Sequence, residues 1–321
     1  MNGLQHGRSP FDKLRANGYL CDSIYVAMFN NGARMKTKNH VMLHLSLISF
    51  TLLAIYPVLW VLALSFSGQQ SVGLIDLPKD PTFLERFRGI LPLPAHWSLK
   101  NFIEVWTEQD FGRWMWNSVV ISLMTTVLGV FLACTAAYAF SRFRFPGRNT
   151  GMLMFLVSQM FPGTLMLIPL FIIIVKWLEL GNTYIGLVIV YATTAIPFCV
   201  WMLKGYFDTI PYDIEESALI DGASRLTIFW RIILPLAKPA IAITALFSFM
   251  TAWNEFILAS VFMESEANYT APVGLRFFVG GFSSQWGYFA AGSVMVSLPV
   301  VALFLQLQKY LISGLTAGSV K

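Results

Sequence analysis

Six stretches of this chain run for about 20 residues or more with almost no Asp, Glu, Lys or Arg. They are roughly Val41–Phe66, Asn117–Phe140, Gly151–Val175, Tyr184–Leu203, Ala240–Met263 and Gly287–Leu311. A helix rises about 1.5 Å per residue, so each can cross a bilayer core of about 30 Å. Backbone polar groups in lipid must be paired internally, which makes these segments helices. The expected fold class is therefore all-α integral membrane with six transmembrane helices. Composition agrees: 56% of residues are hydrophobic and 12% charged, against about 25% charged in soluble domains. Prolines 57, 162, 169, 197 and 299 fall inside spans, where neighbouring helices can satisfy the carbonyls they leave free. The first span has no small-x-small cleavage site after it and reads as a retained helix, not a signal peptide.

Lys and Arg set the orientation. With the N-terminus, the second and fourth loops and the C-terminus on one side, that side holds 15 of the 22 basic residues. The short loop "SRFRFPGR" (Ser141–Arg148) carries three of them. Both termini of this multi-pass protein are thus expected on the cytoplasmic side. Residues 1–35 have no sustained period. They read either as a disordered tail or as sequence upstream of a natural start at Met35, where "MKTKNH" gives a basic lead to the first span; the membrane domain is 36–321.

Several chemistries are disfavoured. The net charge of +5 is not gathered with aromatics on a soluble face, so nucleic acid is not an expected partner. Cys21, Cys134 and Cys199 form neither a disulfide framework nor a metal pattern. His44, inside the first span, reads as a satisfied polar residue. No G-x-x-x-x-G-K-[ST] occurs, so the chain has no usual loop for ATP phosphates and is expected to bind no cofactor itself. An ion-coupled transporter would need buried ionisable relays in several spans. Only Glu255 qualifies.

One polar interruption stands out, "EESALIDGASRLTIFWRIILP" from Glu215 to Pro235. Pro211 suits a helix start, and Asp213, Glu215 and Glu216 suit the positive end of its dipole. Gly222 can end that helix in the left-handed conformation, and Ser224 can cap a second one. Leu226, Phe229, Ile232 and Ile233 give the second helix an apolar stripe. The expectation is a helix–turn–helix on the cytoplasmic face between spans four and five. Its acidic first helix would be repelled by anionic lipid, which favours a protein partner.

The spacing of Glu216, Ala218, Gly222, Ile232, Leu234 and Pro235 resembles the "EAA" motif of permease subunits in ATP-binding-cassette importers; Ser217 departs from it. "WMLKGYFDTIP", "AYAFSRFRFPG", "QMFP" and the tail "SGLTAGSVK" resemble the carbohydrate branch, most of all the smaller permease of maltose/maltodextrin transporters, over residues 36–321. The resemblance implies a coupling helix seated in a separate ATPase subunit that holds ATP and Mg²⁺. Its contacts would be Glu215, Glu216, Ser217, Ala218, Asp221, Gly222, Leu234 and Pro235, with Gly314, Thr316 and Lys321 of the tail as a second contact. It further implies a sister permease, two ATPase copies and a periplasmic sugar-binding protein, with import of maltodextrin-type sugars by alternating access.

On the opposite side, loop 264–286 would meet the binding protein through Tyr269, Phe277, Gly280 and Gly281. Segment 67–113, rich in proline, reads as an irregular cap near it. Trp253, Asn254 and Glu255 are candidates for the sugar path or the permease–permease interface, since a charge inside a span is costly and usually faces an interior. The alternative is a Glu255 near the outer end, bridged to a neighbouring helix.

Overall fold

The computed structural model describes residues 37–74, 80–280 and 284–317, with the side chains of 37–41 and 309–317 left aside. The tail 1–35, Gly281 and Lys321 lie outside the described residues. Among those residues the elements are helical, with no strand. The chain divides after Leu59 into two compact units. The described part of the first is the opening of α1 (Thr37–Ser65), whose apolar side chains such as Met42, Phe50, Leu53 and Val58 are exposed.

The second unit is a helical bundle. It contains α2 (Phe83–Ile90), α3 (Lys100–Thr107), α4 (Phe111–Arg142), α5 (Arg148–Met160), α6 (Gly163–Trp177) and α7 (Tyr184–Phe207). Then follow α8 (Tyr212–Ile220), α9 (Arg225–Leu236), α10 (Lys238–Trp253), α11 (Ile257–Phe262), α12 (Ala271–Leu275) and α13 (Trp286–Ala317). By length and composition, four described helices can cross a membrane: α1, α4, α7 and α13. The number rises to six if each of two bent pairs forms one span.

Those bent pairs are the main departure from the apolar runs. The expected third span breaks at Phe161–Pro162, and α5 and α6 meet at 101°. Pro162 has no N–H for the carbonyl of Ser158, so the ladder stops there. α9 and α10 meet at 78°, just before Pro239. The expected fifth span, Ala240–Met263, is also divided: α10 ends at Trp253 and α11 begins at Ile257. Glu255 therefore lies in a break, not within a helix. At the other end, α13 continues to Ala317, past the expected stop at Leu311.

α4 is the spine. It packs on α7 and α10, and α10 also packs on α13. A row of small side chains, Ser118, Ser122, Thr125, Gly129, Ala133 and Ala137, is buried along it. Small residues let helix backbones approach closely where no hydrophobic effect drives association. A Cβ on Gly129 would stand 3.5 Å from the hydroxyl of Ser248 on α10. With 32 residues, α4 is about 48 Å long.

Candidate coupling site

One end of α4 carries the helix–turn–helix. Pro211 caps α8, and Asp213 and Glu215 occupy its first turn, where the dipole favours carboxylates. The exit is a paired-bond turn. Ala223 N–H donates to Ala218 O at 2.9 Å and Gly222 N–H to Leu219 O at 3.0 Å. Gly222 has φ +83°, the left-handed geometry that this turn requires and glycine adopts without strain. Ser224 then caps α9, its hydroxyl accepting from Thr227 N–H at 3.2 Å. Phe229 and Ile233 of α9 are buried against Tyr138, Val200 and Phe207. Leu226, expected in the same stripe, is 72% exposed instead.

The predicted coupling residues do not share one face. Glu216, Ser217, Asp221, Gly222 and Pro235 are exposed, and so is Ile220 at 86%. Ala218 is buried and Leu234 half-buried. Glu215 is buried as well, which corrects its assignment as an outward contact. Its carboxylate is paired with Arg142 of α4 and accepts from Tyr138 O–H at 3.0 Å. One helical residue from Glu216 rotates the side chain by about 100°, so the two neighbouring acids must face different ways.

Glu215 belongs to a network that ties three elements together. Arg142 also donates to Ile210 O at 2.9 Å and lies 4.4 Å over the ring of Tyr212. Ser141 donates to Asp208 at 2.6 Å, and Lys204 of α7 pairs with the same carboxylate. Tyr212 donates to Ser141 O at 3.1 Å. Partial burial would raise the Asp208 carboxyl, but the hydrogen bonds from Lys204 and Ser141 outweigh it and hold it below its ordinary 3.8. The start of α8 is thus fixed to the ends of both α4 and α7. Tyr138, Ser141, Arg142, Lys204 and Asp208 were not among the sequence candidates. The only hints were the i,i+4 pair Lys204–Asp208 and an arginine counted solely for orientation.

The opposite end of α4 holds the other candidate surface. Trp114 donates its indole N–H to Glu266 O at 3.2 Å. Asn117 donates to Ala267 O and Tyr269 O, both at 2.9 Å, and Ser118 accepts from Ala271 N–H at 2.8 Å. Over this base Tyr269 and Phe277 stack with ring centres 5.3 Å apart. Together with Arg276 and Gly280 they line a cavity of about 400 Å³. Three of the four predicted residues there are therefore neighbours.

Trp253, Asn254 and Glu255 are not brought together as a surface. Trp253 is buried and donates to Val296 O of α13 at 3.2 Å. Asn254 is exposed and donates back to Met250 O at 2.9 Å. The Glu255 carboxylate accepts from Leu258 N–H and Ala259 N–H, both at 2.9 Å, so it caps α11. Gly314 and Thr316 lie in the last turns of α13.

Residues 126–316 match the family described as binding-protein-dependent transport system inner membrane component. The chain is 37% identical over 297 residues to the galactooligosaccharides transport system permease protein GanQ of Bacillus subtilis, covering 90% of this chain and 99% of that one. It is 36% identical over 291 residues to the maltodextrin transport system permease protein MdxG of the same organism, covering 90% and 98%. Its fold matches a crystal structure of a bacterial ABC transporter involved in import of the acidic polysaccharide alginate, with TM-score 0.72, 24% identity and coverage of 87% and 98%. The chain belongs to the binding-protein-dependent transport system inner membrane components, as a multi-pass permease of the carbohydrate branch of ATP-binding-cassette importers.

Proposed function

We propose that this permease forms half of a path for neutral oligosaccharides of the maltodextrin type and that α8 is its coupling helix, seated in a cytoplasmic ATPase. A sister permease supplies the other half, two ATPase copies bind ATP and Mg²⁺, and a periplasmic binding protein delivers the sugar near Tyr269 and Phe277. Both termini then face the cytoplasm.

The observation that carries this reading is the contrast within α8. Glu216, Ser217 and Ile220 are exposed, while Glu215 beside them is bolted to α4. A surface meant to be pushed needs a free outer face and a rigid root. Closure of the ATPase pair would move α8, and α4 and α7 would follow as a body, which is alternating access by rigid rotation. Relatives that carry maltodextrin and galactooligosaccharides support a sugar cargo. The maltodextrin type rests on the resemblance of the tail and the outer loop to the maltose/maltodextrin branch.

The test is uptake of radiolabelled maltotriose by vesicles containing the complete importer, with Glu216→Lys and Gly222→Pro as variants. Both should assemble in the membrane yet lose most sugar-stimulated ATP hydrolysis and uptake. Full activity in either variant would overturn the coupling assignment. Competition by other oligosaccharides, with no response to maltotriose, would overturn the sugar type.

A further inference from the structure

The break between α5 and α6 opens on a cavity of about 490 Å³ whose lining is mixed: Ser158, Gln159, Thr193 and Thr194 are polar, and Phe161 with Pro169, Leu170 and Ile173 is among the apolar part. That volume lies in the usual range for ligand pockets, roughly 300–1,000 Å³. We propose that this cavity is where the subunit itself grips the passing sugar, with Gln159 and Thr193 as hydrogen-bonding groups and Phe161 as the stacking face. The proposal rests on the sugar-importer reading above and adds the residues of contact.

Depth is the first argument. Thr193 and Thr194 are the tenth and eleventh of the 24 residues of α7, so they stand about 15 Å from its start and near its middle. Broken backbone at that depth is tolerated only where protein buries it or water reaches it. Here Met160, 78% exposed, and Phe161, 55% exposed, flank the break, so it is not buried within this chain.

The lining chemistry is the second. Ser158, Thr193 and Thr194 donate their hydroxyl protons to carbonyls of their own helices, Phe155 O, Val190 O and Tyr191 O, at 2.7–2.9 Å. Gln159 donates one amide N–H to Thr194 O at 3.2 Å. What the mouth still offers is hydroxyl lone pairs, an amide oxygen and a second amide N–H. Sugar hydroxyls both donate and accept, and sugar C–H faces pack on an aromatic ring. No charged side chain lines the cavity, which suits a neutral ligand.

A groove elsewhere on the same α7 makes the contrast. It is lined by Leu123, Val127, Phe131, Ile185, Val188 and Ile189, among other apolar residues. That surface suits acyl chains. The cavity at the break differs in adding the Gln159 amide and the hydroxyls of Ser158, Thr193 and Thr194 to its apolar lining, which suits an amphipathic sugar better than an acyl chain.

The experiment uses the complete importer in proteoliposomes and measures initial uptake of radiolabelled maltotriose and of a galactooligosaccharide of equal length. At saturating binding protein, Gln159→Leu should lower the uptake rate of maltotriose about fivefold, the scale of one neutral hydrogen bond, and Phe161→Ala should lower it by loss of the stacking face. Both should change the galactooligosaccharide rate by a different factor and so alter the preference between the two sugars. Thr193→Val keeps the side-chain volume and guards against misfolding; it should shift the preference in the same direction. Leu156→Ala, one turn away and outside the cavity, should leave rate and preference unchanged. If the wild type transports sugar but Gln159→Leu and Thr193→Val keep rate and sugar preference within twofold, the contact assignment is overturned and the importer reading stands. The contact assignment also fails if the variants lower both sugars' rates by one common factor, as they would if the cavity were filled by a neighbouring subunit. A wild type that transports neither sugar would overturn both.

Discussion

The two ends of α4 are anchored by different chemistry. At the Arg142 end the fastening is ionic: the enclosed Arg142–Glu215 pair, with the Tyr138 phenol, joins α4 to α8, and the more exposed Lys204–Asp208 pair meets α4 through Ser141. At the Trp114 end it is neutral and steric. An indole, an amide and a hydroxyl meet backbone groups of residues 266–271, and glycines leave room for rings. Charges held in low dielectric resist small displacements but tolerate no missing partner. A neutral seat depends instead on shape, so its weak point is added volume.

The largest effect should come from breaking the ionic end by one partner. Arg142→Ala leaves Glu215 buried and uncompensated and should cost about 3–5 kcal/mol, read as a lower thermal midpoint of the detergent-solubilised complex. The double change Arg142→Met with Glu215→Leu removes both charges and should recover much of that loss. A double variant no more stable than Arg142→Ala would show that the pair is not the fastening.

The neutral end should break next, and by the opposite operation. A Cβ on Gly274 would lie 2.1 Å from the ring of Trp114, which is itself buried. Gly274→Ala should therefore cost about 1–3 kcal/mol by overpacking, while Gly280→Ala serves as a milder comparison in the same loop. Equal midpoints for Gly274→Ala and wild type would refute the steric account.

A smaller loss is expected at the turn between α8 and α9. No atom crowds a Cβ on Gly222, so Gly222→Ala isolates the cost of its positive φ, about 1–2 kcal/mol for an L-residue in that region. Gly222→Asn should lose less, because Asn tolerates the same conformation. Reversal of that order would show that side-chain contact, not backbone conformation, sets the effect.

Smallest of all is the acid response. Asp208 has a carboxyl held below its ordinary 3.8, so its contribution is present above that value and is lost as pH falls through the lower folded value. Asp208→Asn should remove that contribution, so that the variant melts slightly below wild type at neutral pH and the two converge in acid. Acid melting curves of the complex that superimpose for the variant and wild type would exclude Asp208 as a contributor.

The helical class and the helix–turn–helix could be read because both leave local signals. Long uncharged runs report burial in lipid, and the pattern Pro211, Gly222 and Ser224 reports caps that act within a few residues. Glu215 could not be read the same way. Its neighbour Glu216 has the same chemistry, and only the arrival of Arg142, 73 positions away in sequence, distinguishes them. Glu255 was misplaced within a helix for a related reason. Hydropathy counted its apolar neighbours, whereas its carboxylate caps the start of α11. The break at Pro162 was visible as a proline, but a sharp 101° bend depends on the surroundings that accept it.

The small-residue row on α4 bears on how such a molecule can move. Interlocking large side chains would act like gear teeth, allowing a neighbouring helix to shift only by whole notches. Ser122, Thr125, Gly129 and Ala133 present a nearly smooth rail instead. At Gly129 α10 comes close through Ser248, and a face of small residues does not lock a neighbour into notches. The bundle can therefore be tightly built at its middle and yet yield there, so a displacement at one end of α4 need not be absorbed before it reaches the other.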